Sequence, residues 1–247
     1  MQRKVPYYHL SLDLTDTKNA LEEFKAILEA PDQQTRFVFF INAHCFNISL
    51  KNNEYLKSLN NTDYLFNDGI GIKIGARLPG IDLIENMNGT DLIPEIIQLA
   101  YIKGRKIFLL GAIEGVAIKA ADNLRKRYPG IRIVGTSSGF FSDSSVVVEE
   151  INNSRAELLI VGMGVPRQEL WLSANQSRFE SVKIAVAGGA ILDFLSETVK
   201  RAPVWMQKAG IEWFYRFYQE PGRLFERYFV GNIKFLFSIF RYQMNIK

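Results

Sequence analysis

Apolar runs recur along the chain at Arg36–Asn42, Asp63–Asn67, Lys106–Gly111, Ile131–Thr136 and Val182–Gly188, with another from Glu157 to Gly162. A stretch of helical periodicity follows each of them. Leu21, Phe24, Ile27 and Leu28 make one apolar stripe at helical spacing, and Val116, Ala120, Leu124 and Tyr128 make another. A short apolar run closed by glycine reads as a strand buried on both faces. Such strands alternating with helices predict an α/β protein built on a Rossmann-like, doubly wound, mostly parallel sheet. No internal repeat or low-complexity linker interrupts the pattern. One α/β domain is expected over residues 1–200, followed by a helical, basic and aromatic appendage over residues 201–247.

Composition narrows the class. A chain of 247 residues with 47% apolar content can build one sizeable core. The single Cys45 excludes an internal disulfide and suits a reducing compartment. His9 and His44 are the only histidines, and no Cys/His cluster accompanies them, so no metal site is expected. The opening Met-Gln-Arg-Lys-Val-Pro-Tyr-Tyr lacks the apolar core of a signal peptide, and no apolar run reaches bilayer-spanning length. A cytoplasmic protein is the expectation.

Charge is placed unevenly. Residues 200–247 hold nine Lys or Arg against three acids, whereas the first 199 residues hold 21 basic and 23 acidic side chains. The same tail carries 13 of the 31 aromatics. A basic, aromatic, helix-compatible segment suits an anionic membrane surface, into which Phe235, Leu236, Phe237, Ile239 and Phe240 could insert. Packing of those aromatics on the main domain is the competing reading. Nucleic acid is not an expected partner, because no nucleic-acid motif accompanies the charge.

Two segments carry candidate chemistry. In Gly162-Met-Gly164-Val-Pro166-Arg-Gln168-Glu169, a buried strand ends in glycines and a helix opens with Pro at its first turn. Polar side chains and a helix N-terminus thus reach the carboxyl edge of the sheet, where open α/β proteins bind ligands and anions. An ordinary solvated strand-to-helix turn would read the same way. In Asn67-Asp68-Gly69-Ile-Gly71, Asp68 closes a strand and could act as a general base, although Asp-Gly is also a common turn. The helix after it is expected to pack closely through its glycines. Gly69, Gly71 and Gly75 miss the dinucleotide spacing, which leaves a nicotinamide-dependent oxidoreductase as an alternative only. No Asp-x-Asp occurs anywhere, so no metal-held diphosphate is expected, and no cofactor.

Several short motifs appear in order: Asn42 after a strand, Asp68-Gly69-Ile-Gly71, Asn88-Gly89-Thr90-Asp91-Leu92, Phe108-Leu-Leu-Gly111 and Tyr128-Pro129-Gly130. They continue with Gly162-x-Gly164-x-Pro166-x-Gln168-Glu169, Gly188-Gly-Ala-x-x-Asp193-Phe194, Arg201-Ala202-Pro203, Glu212-Trp213-x-Tyr215-Arg216, Glu220-Pro221-x-Arg223 and Arg227-Tyr228. Each is weak singly, but the ordered set resembles the WecG/TagA/CpsF family of bacterial glycosyltransferases from about residue 5 to 235.

The resemblance implies an inverting transferase. It would move an N-acetylmannosamine-type sugar, or a related hexose or uronic acid, from a UDP-sugar to an undecaprenyl-diphosphate-linked sugar. The setting would be the inner face of the cell membrane, where the protein is peripheral and serves teichoic acid, exopolysaccharide or other cell-envelope polymers. The family's base matches Asp68 and its active-site glutamine matches Gln168. Substrate contacts are expected from Asn42, Gly69, Asn86, Asn88, Thr90, Asp91, Gly111, Gly164, Pro166 and Gly189. The appendage should add Arg216, Arg223 and Arg227. A homo-oligomer is left open.

Three positions depart from the family pattern. Phe40 stands where Thr is common, Asn86 where Arg is common, and His44 where an acid is common. Asparagines can hydrogen-bond neutral hydroxyls but cannot neutralise a carboxylate or phosphate, so the donor sugar is left open. A non-catalytic membrane adaptor is the other alternative. It would need the tail and not Asp68.

Overall fold

The computed structural model describes residues 4–32, 34–208, 211–219 and 221–245; the side chains of Lys208, Arg223, Arg227, Tyr228 and Asn245 lie outside the description. Eight strands run in chain order as β1 (Lys4–Tyr7), β2 (Leu10–Asp13), β3 (Arg36–Ile41), β4 (Tyr64–Asn67), β5 (Ile107–Gly111), β6 (Ile133–Ser137), β7 (Leu158–Gly162) and β8 (Ile184–Ala187). Between them lie α1 (Thr17–Glu29), α2 (Ala43–Ser49), α3 (Asn53–Asn60), α4 (Ile70–Arg77), α5 (Gly89–Ile102), α6 (Val116–Arg127), α7 (Ser144–Ser154) and α8 (Arg167–Asn175). After β8 the chain is helical: α9 (Ile191–Leu195), α10 (Val204–Lys208), α11 (Glu212–Gln219), α12 (Pro221–Phe225), a π turn at Glu226–Val230, and α13 (Gly231–Asn245).

The six central strands are all parallel, in the order β4-β3-β8-β7-β5-β6. Alternate residues of one strand face opposite layers, as the pleat requires. Phe37, Phe39 and Ile41 of β3 pack toward α2, α3 and α8, while Val38 and Phe40 pack toward α1 and α5. The doubly wound sheet expected from the alternation is present, and each apolar run coincides with its strand to within a few residues at either end. The antiparallel hairpin β1–β2 is additional to that expectation. Only two alternating apolar positions per strand face the core there, too few for a period to register.

One topological switch organises the sheet. The chain leaves β5 toward β6 on one side and leaves β7 toward β8 on the other, so the connections part between these neighbours. Ligands in open α/β sheets lie at such a crevice. Gly111 and Gly162 pair at that point, with the Ala112 N–H donating to the Gly162 carbonyl at 2.8 Å. A β-carbon on Gly111 would stand 2.3 Å from that carbonyl oxygen, at a φ of +143°, so only glycine fits.

The appendage folds back on the sheet layer rather than standing clear of it. α13 packs on α2 and α4, burying Phe235 at 1% and Ile239 at 0% exposure. Gly71 and Gly75 of α4 make room for the Phe235 ring, which a β-carbon on Gly75 would approach to 3.1 Å. The close helix packing expected from those glycines is therefore present, against the tail and, nearer still, against Tyr7 of β1 and Ala43 of α2. Phe235 and Ile239 are thus corrected from membrane-inserting residues to core residues. Leu236, Phe237 and Phe240 remain exposed, as do Ile70 and Ile74 on α4 and Leu78 just after it. Among the described residues, no helix is long and apolar enough to cross a membrane.

Candidate active site

Two cavities open at the carboxyl edge of the sheet, and Asp68 stands between them. It follows the last residue of β4, and its backbone N–H donates to the Ile41 carbonyl at 2.8 Å, which ties it to the neighbouring strand. Gly69 then turns the chain at a φ of +88° and donates its N–H to Asn86 Oδ1 at 2.8 Å. The Asp68 side chain is oriented from β3. Asn42 caps α2, its Oδ1 accepting the His44 and Cys45 N–H groups at 3.1 Å each. The other end of the amide is consequently the nitrogen, and it donates to Asp68 Oδ2 at 3.3 Å.

The larger cavity, about 390 Å³, lies at the switch point. Glycines recur along its wall, among them Gly139, Gly162, Gly164, Gly188 and Gly189. Bare backbone and the start of α8 suit close approach of a phosphate chain. Arg167 stands over the Phe140 and Phe141 rings, 5.6 and 5.5 Å from their centres, and Arg216 stands 5.3 Å over Phe194. Phe40 borders the same cavity and closes its floor; a β-carbon on Gly89 would be 3.3 Å from its ring. Gln168 is buried here, its Oε1 accepting the Gly189 N–H at 3.0 Å and its Nε2 donating to Glu169 Oε1 at 2.8 Å. Burial pushes the Glu169 carboxyl up to about 7, against the opposing hydrogen bond from Gln168.

The smaller cavity, about 350 Å³, runs beneath the appendage. Its lining combines polar side chains, among them His44, Asn86, Asn88, Asp91 and Glu212, with the apolar Ile70, Ile74, Trp213, Phe235 and Leu236. Asn42, Asp68, Thr90 and Arg216 border both cavities.

Arg201 fastens α11 over this region. Its guanidinium donates to both Glu212 oxygens at 3.2 and 3.1 Å and to Asp91 Oδ1 at 2.8 Å. Glu212 and Arg216 lie one turn apart on α11, so the clamp also sets where Arg216 reaches.

Most residues named from the sequence converge on the two cavities, though several have structural partners as well. Asn88 caps α5 through Asp91, accepting its N–H at 2.9 Å. Gly111 lies buried beneath the larger cavity, where it permits the β5–β7 contact, and Pro166 occupies the capping position of α8. The side chains of Arg223 and Arg227 fall outside the described residues. Arg167, Glu169 and Arg201 have partners here that the sequence does not announce. An acid or a cation in a first helical turn reads as solvated, and only the packing around it reveals otherwise. Among the described residues, no group of three or more His, Cys, Asp or Glu is gathered to hold a metal ion.

A family model of glycosyl transferases, the WecG/TagA/CpsF family, matches residues 5–247. A Bacillus subtilis (strain 168) protein is 31% identical over 175 residues, covering 71% of this chain and 68% of its own. A Staphylococcus aureus (strain MRSA252) protein is 29% identical over 213 residues, 86% and 84% of the two chains, and one from strain MW2 is 27% identical over 248, 99% and 95%. All three are named N-acetylglucosaminyldiphosphoundecaprenol N-acetyl-beta-D-mannosaminyltransferase.

Proposed function

The chain belongs to the WecG/TagA/CpsF family of glycosyl transferases, and from that premise we propose that it moves N-acetylmannosamine from UDP to N-acetylglucosamine on undecaprenyl diphosphate, with inversion. Membership of a transferase family sets aside the oxidoreductase and adaptor alternatives. The observation that carries the reading is the position of Asp68 on the shared wall of the two cavities. A two-substrate transfer needs its base at such a boundary.

The larger cavity takes the nucleotide-sugar. Its glycine wall accommodates the diphosphate, while Arg167, Arg216 and the start of α8 offset the charge that develops on departing UDP. The smaller cavity takes the lipid-linked acceptor, with the sugar among its asparagines and the diphosphate-lipid end toward its apolar residues. Asp68 removes the proton from the acceptor hydroxyl as that oxygen forms its bond to the anomeric carbon. The bond from that carbon to the UDP oxygen breaks on the opposite face, and UDP leaves as the anion.

Asn86 and Asn88, which line the smaller cavity, suit the uncharged hydroxyl and acetamido groups of an N-acetylglucosamine acceptor, while the donor is taken from the names of the relatives. With no Asp-x-Asp in the sequence, transfer is expected to be metal-independent. The exposed Leu236, Phe237 and Phe240, together with the tail's basic excess, support a peripheral position on the inner face of the membrane. The test is transfer from UDP-N-acetylmannosamine, UDP-N-acetylglucosamine and the corresponding uronic acid to a short-chain lipid-diphosphate acceptor. Transfer from the first alone supports the reading, and transfer from the uronic acid alone overturns the donor assignment.

A further inference from the structure

Gln168 and Glu169 stand side by side in the first turn of α8, exposed by only 2% and 1%. Their hydrogen bonds dictate which atom is which. A backbone N–H can only donate, so the atom that meets Gly189 N at 3.0 Å is the Gln168 oxygen. The amide nitrogen is then the other end, and it donates to Glu169 Oε1 at 2.8 Å. Glu169 Oε1 is therefore an acceptor, and any proton on this carboxyl sits on Oε2. That second oxygen is buried without a hydrogen-bond partner, in a residue that borders the larger cavity.

We propose that Glu169 is a positioning residue for sugar transfer: held behind Gln168, its carboxyl group fixes the carboxamide so that one N–H and one lone pair of Oε1 remain for the bound sugar. This rests on the assignment of the larger cavity to the nucleotide-sugar. The group works as a neutral acid. Around it, α8 contributes Arg167, and α3 buries Tyr55 and Ser58, the Ser58 hydroxyl donating to the Glu169 carbonyl at 3.2 Å. β8 contributes only apolar side chains, and the remaining cavity wall brings Cys45, Asp68, Asp193 and Arg216. The hydrogen bonds from Gln168 and from the residue's own backbone favour the carboxylate, whereas burial favours the acid. Burial prevails and carries the group up to about 7. Protonated, Glu169 adds no negative charge to a cavity that must hold a diphosphate. Ionised, it repels the donor and pulls harder on the Gln168 N–H.

The experiment follows the Gln168 side-chain amide signals by 1H–15N NMR from pH 5 to 9, identified by their absence in Gln168→Ala. Alongside, kcat/KM is measured over the same range for wild type, Glu169→Gln and Glu169→Ala. In wild type the amide signals should shift with an ionisation near neutrality, and kcat/KM should fall roughly tenfold per pH unit above it. Glu169→Gln, which keeps an acceptor and a donor in the same places, should show neither effect and retain most of the activity found at low pH. Glu169→Ala, which frees the amide and removes the ionisation, should lose roughly tenfold or more below neutrality and show no basic limb from this group. Amide signals indifferent to pH, or a basic limb that persists in Glu169→Gln, would overturn the proposal. Absence of any transfer by wild type would instead overturn the reaction assigned above, and the NMR titration would then decide the coupling alone.

Discussion

Asp68 and Glu169 both border the larger cavity, and their surroundings ask opposite things of them. Asp68 borders both cavities and receives an amide N–H from Asn42, a placement that suits the base proposed for the transfer. Asp68→Asn is expected to leave folding and UDP affinity near normal and to lower turnover by about 10²–10⁴-fold, measured by UDP release. Glu169 is held as an acid, which has a cost to the fold. Its pKa is raised on folding, so its contribution is fully present below the ordinary glutamate range and is lost as pH climbs to about 7. A shift of that size corresponds to roughly 3 kcal/mol. Glu169→Gln should abolish this part of the pH dependence in denaturant titrations at pH 4.5 and 8; an unchanged difference would contradict it. The sequence made Asp68 and Gln168 legible, because one closes an apolar run and the other opens a helix after glycines. It could not reveal Glu169, whose chemistry comes from what covers it.

At the scale of elements, the parallel sheet was legible because its strands are buried on both faces and read as unbroken apolar runs. The tail was only half legible. An aromatic-rich helix looks the same whether it faces lipid or protein, and α13 buries Phe235 and Ile239 while leaving Phe237 and Phe240 exposed. The two sides should separate by mutation. Phe235→Ala removes a ring packed edge-on to Phe46, 5.1 Å between centres, and should cost about 3–5 kcal/mol in denaturant unfolding. The double change Phe237→Ser with Phe240→Ser should leave stability within about 1 kcal/mol. It should nonetheless weaken sedimentation with anionic vesicles several-fold, with transfer to a soluble acceptor unchanged.

For the whole molecule, the appendage closes over the sheet edge, and the proposed reaction draws Arg216 from it. Arg201 is the fastening, pairing α11 to the start of α5 through Glu212 and Asp91. Asp91 is exposed, so the pairing adds little to stability, on the order of 1 kcal/mol. Arg201→Ala should therefore move the thermal midpoint only slightly while lowering kcat, because Arg216 loses its fixed approach to both cavities. Equal losses in Arg201→Ala and a variant truncated after residue 200 would mark the clamp as the appendage's main contribution to turnover. The most direct measurement of the central claim is transfer from UDP-N-acetylmannosamine to a short-chain N-acetylglucosaminyl-diphosphate lipid, in EDTA, by wild type and Asp68→Asn. The expected result is a β-linked product and free UDP from wild type, with the variant slower by at least about 10²-fold. Folded wild type that makes no product, or an Asp68→Asn variant that matches it, would contradict the account.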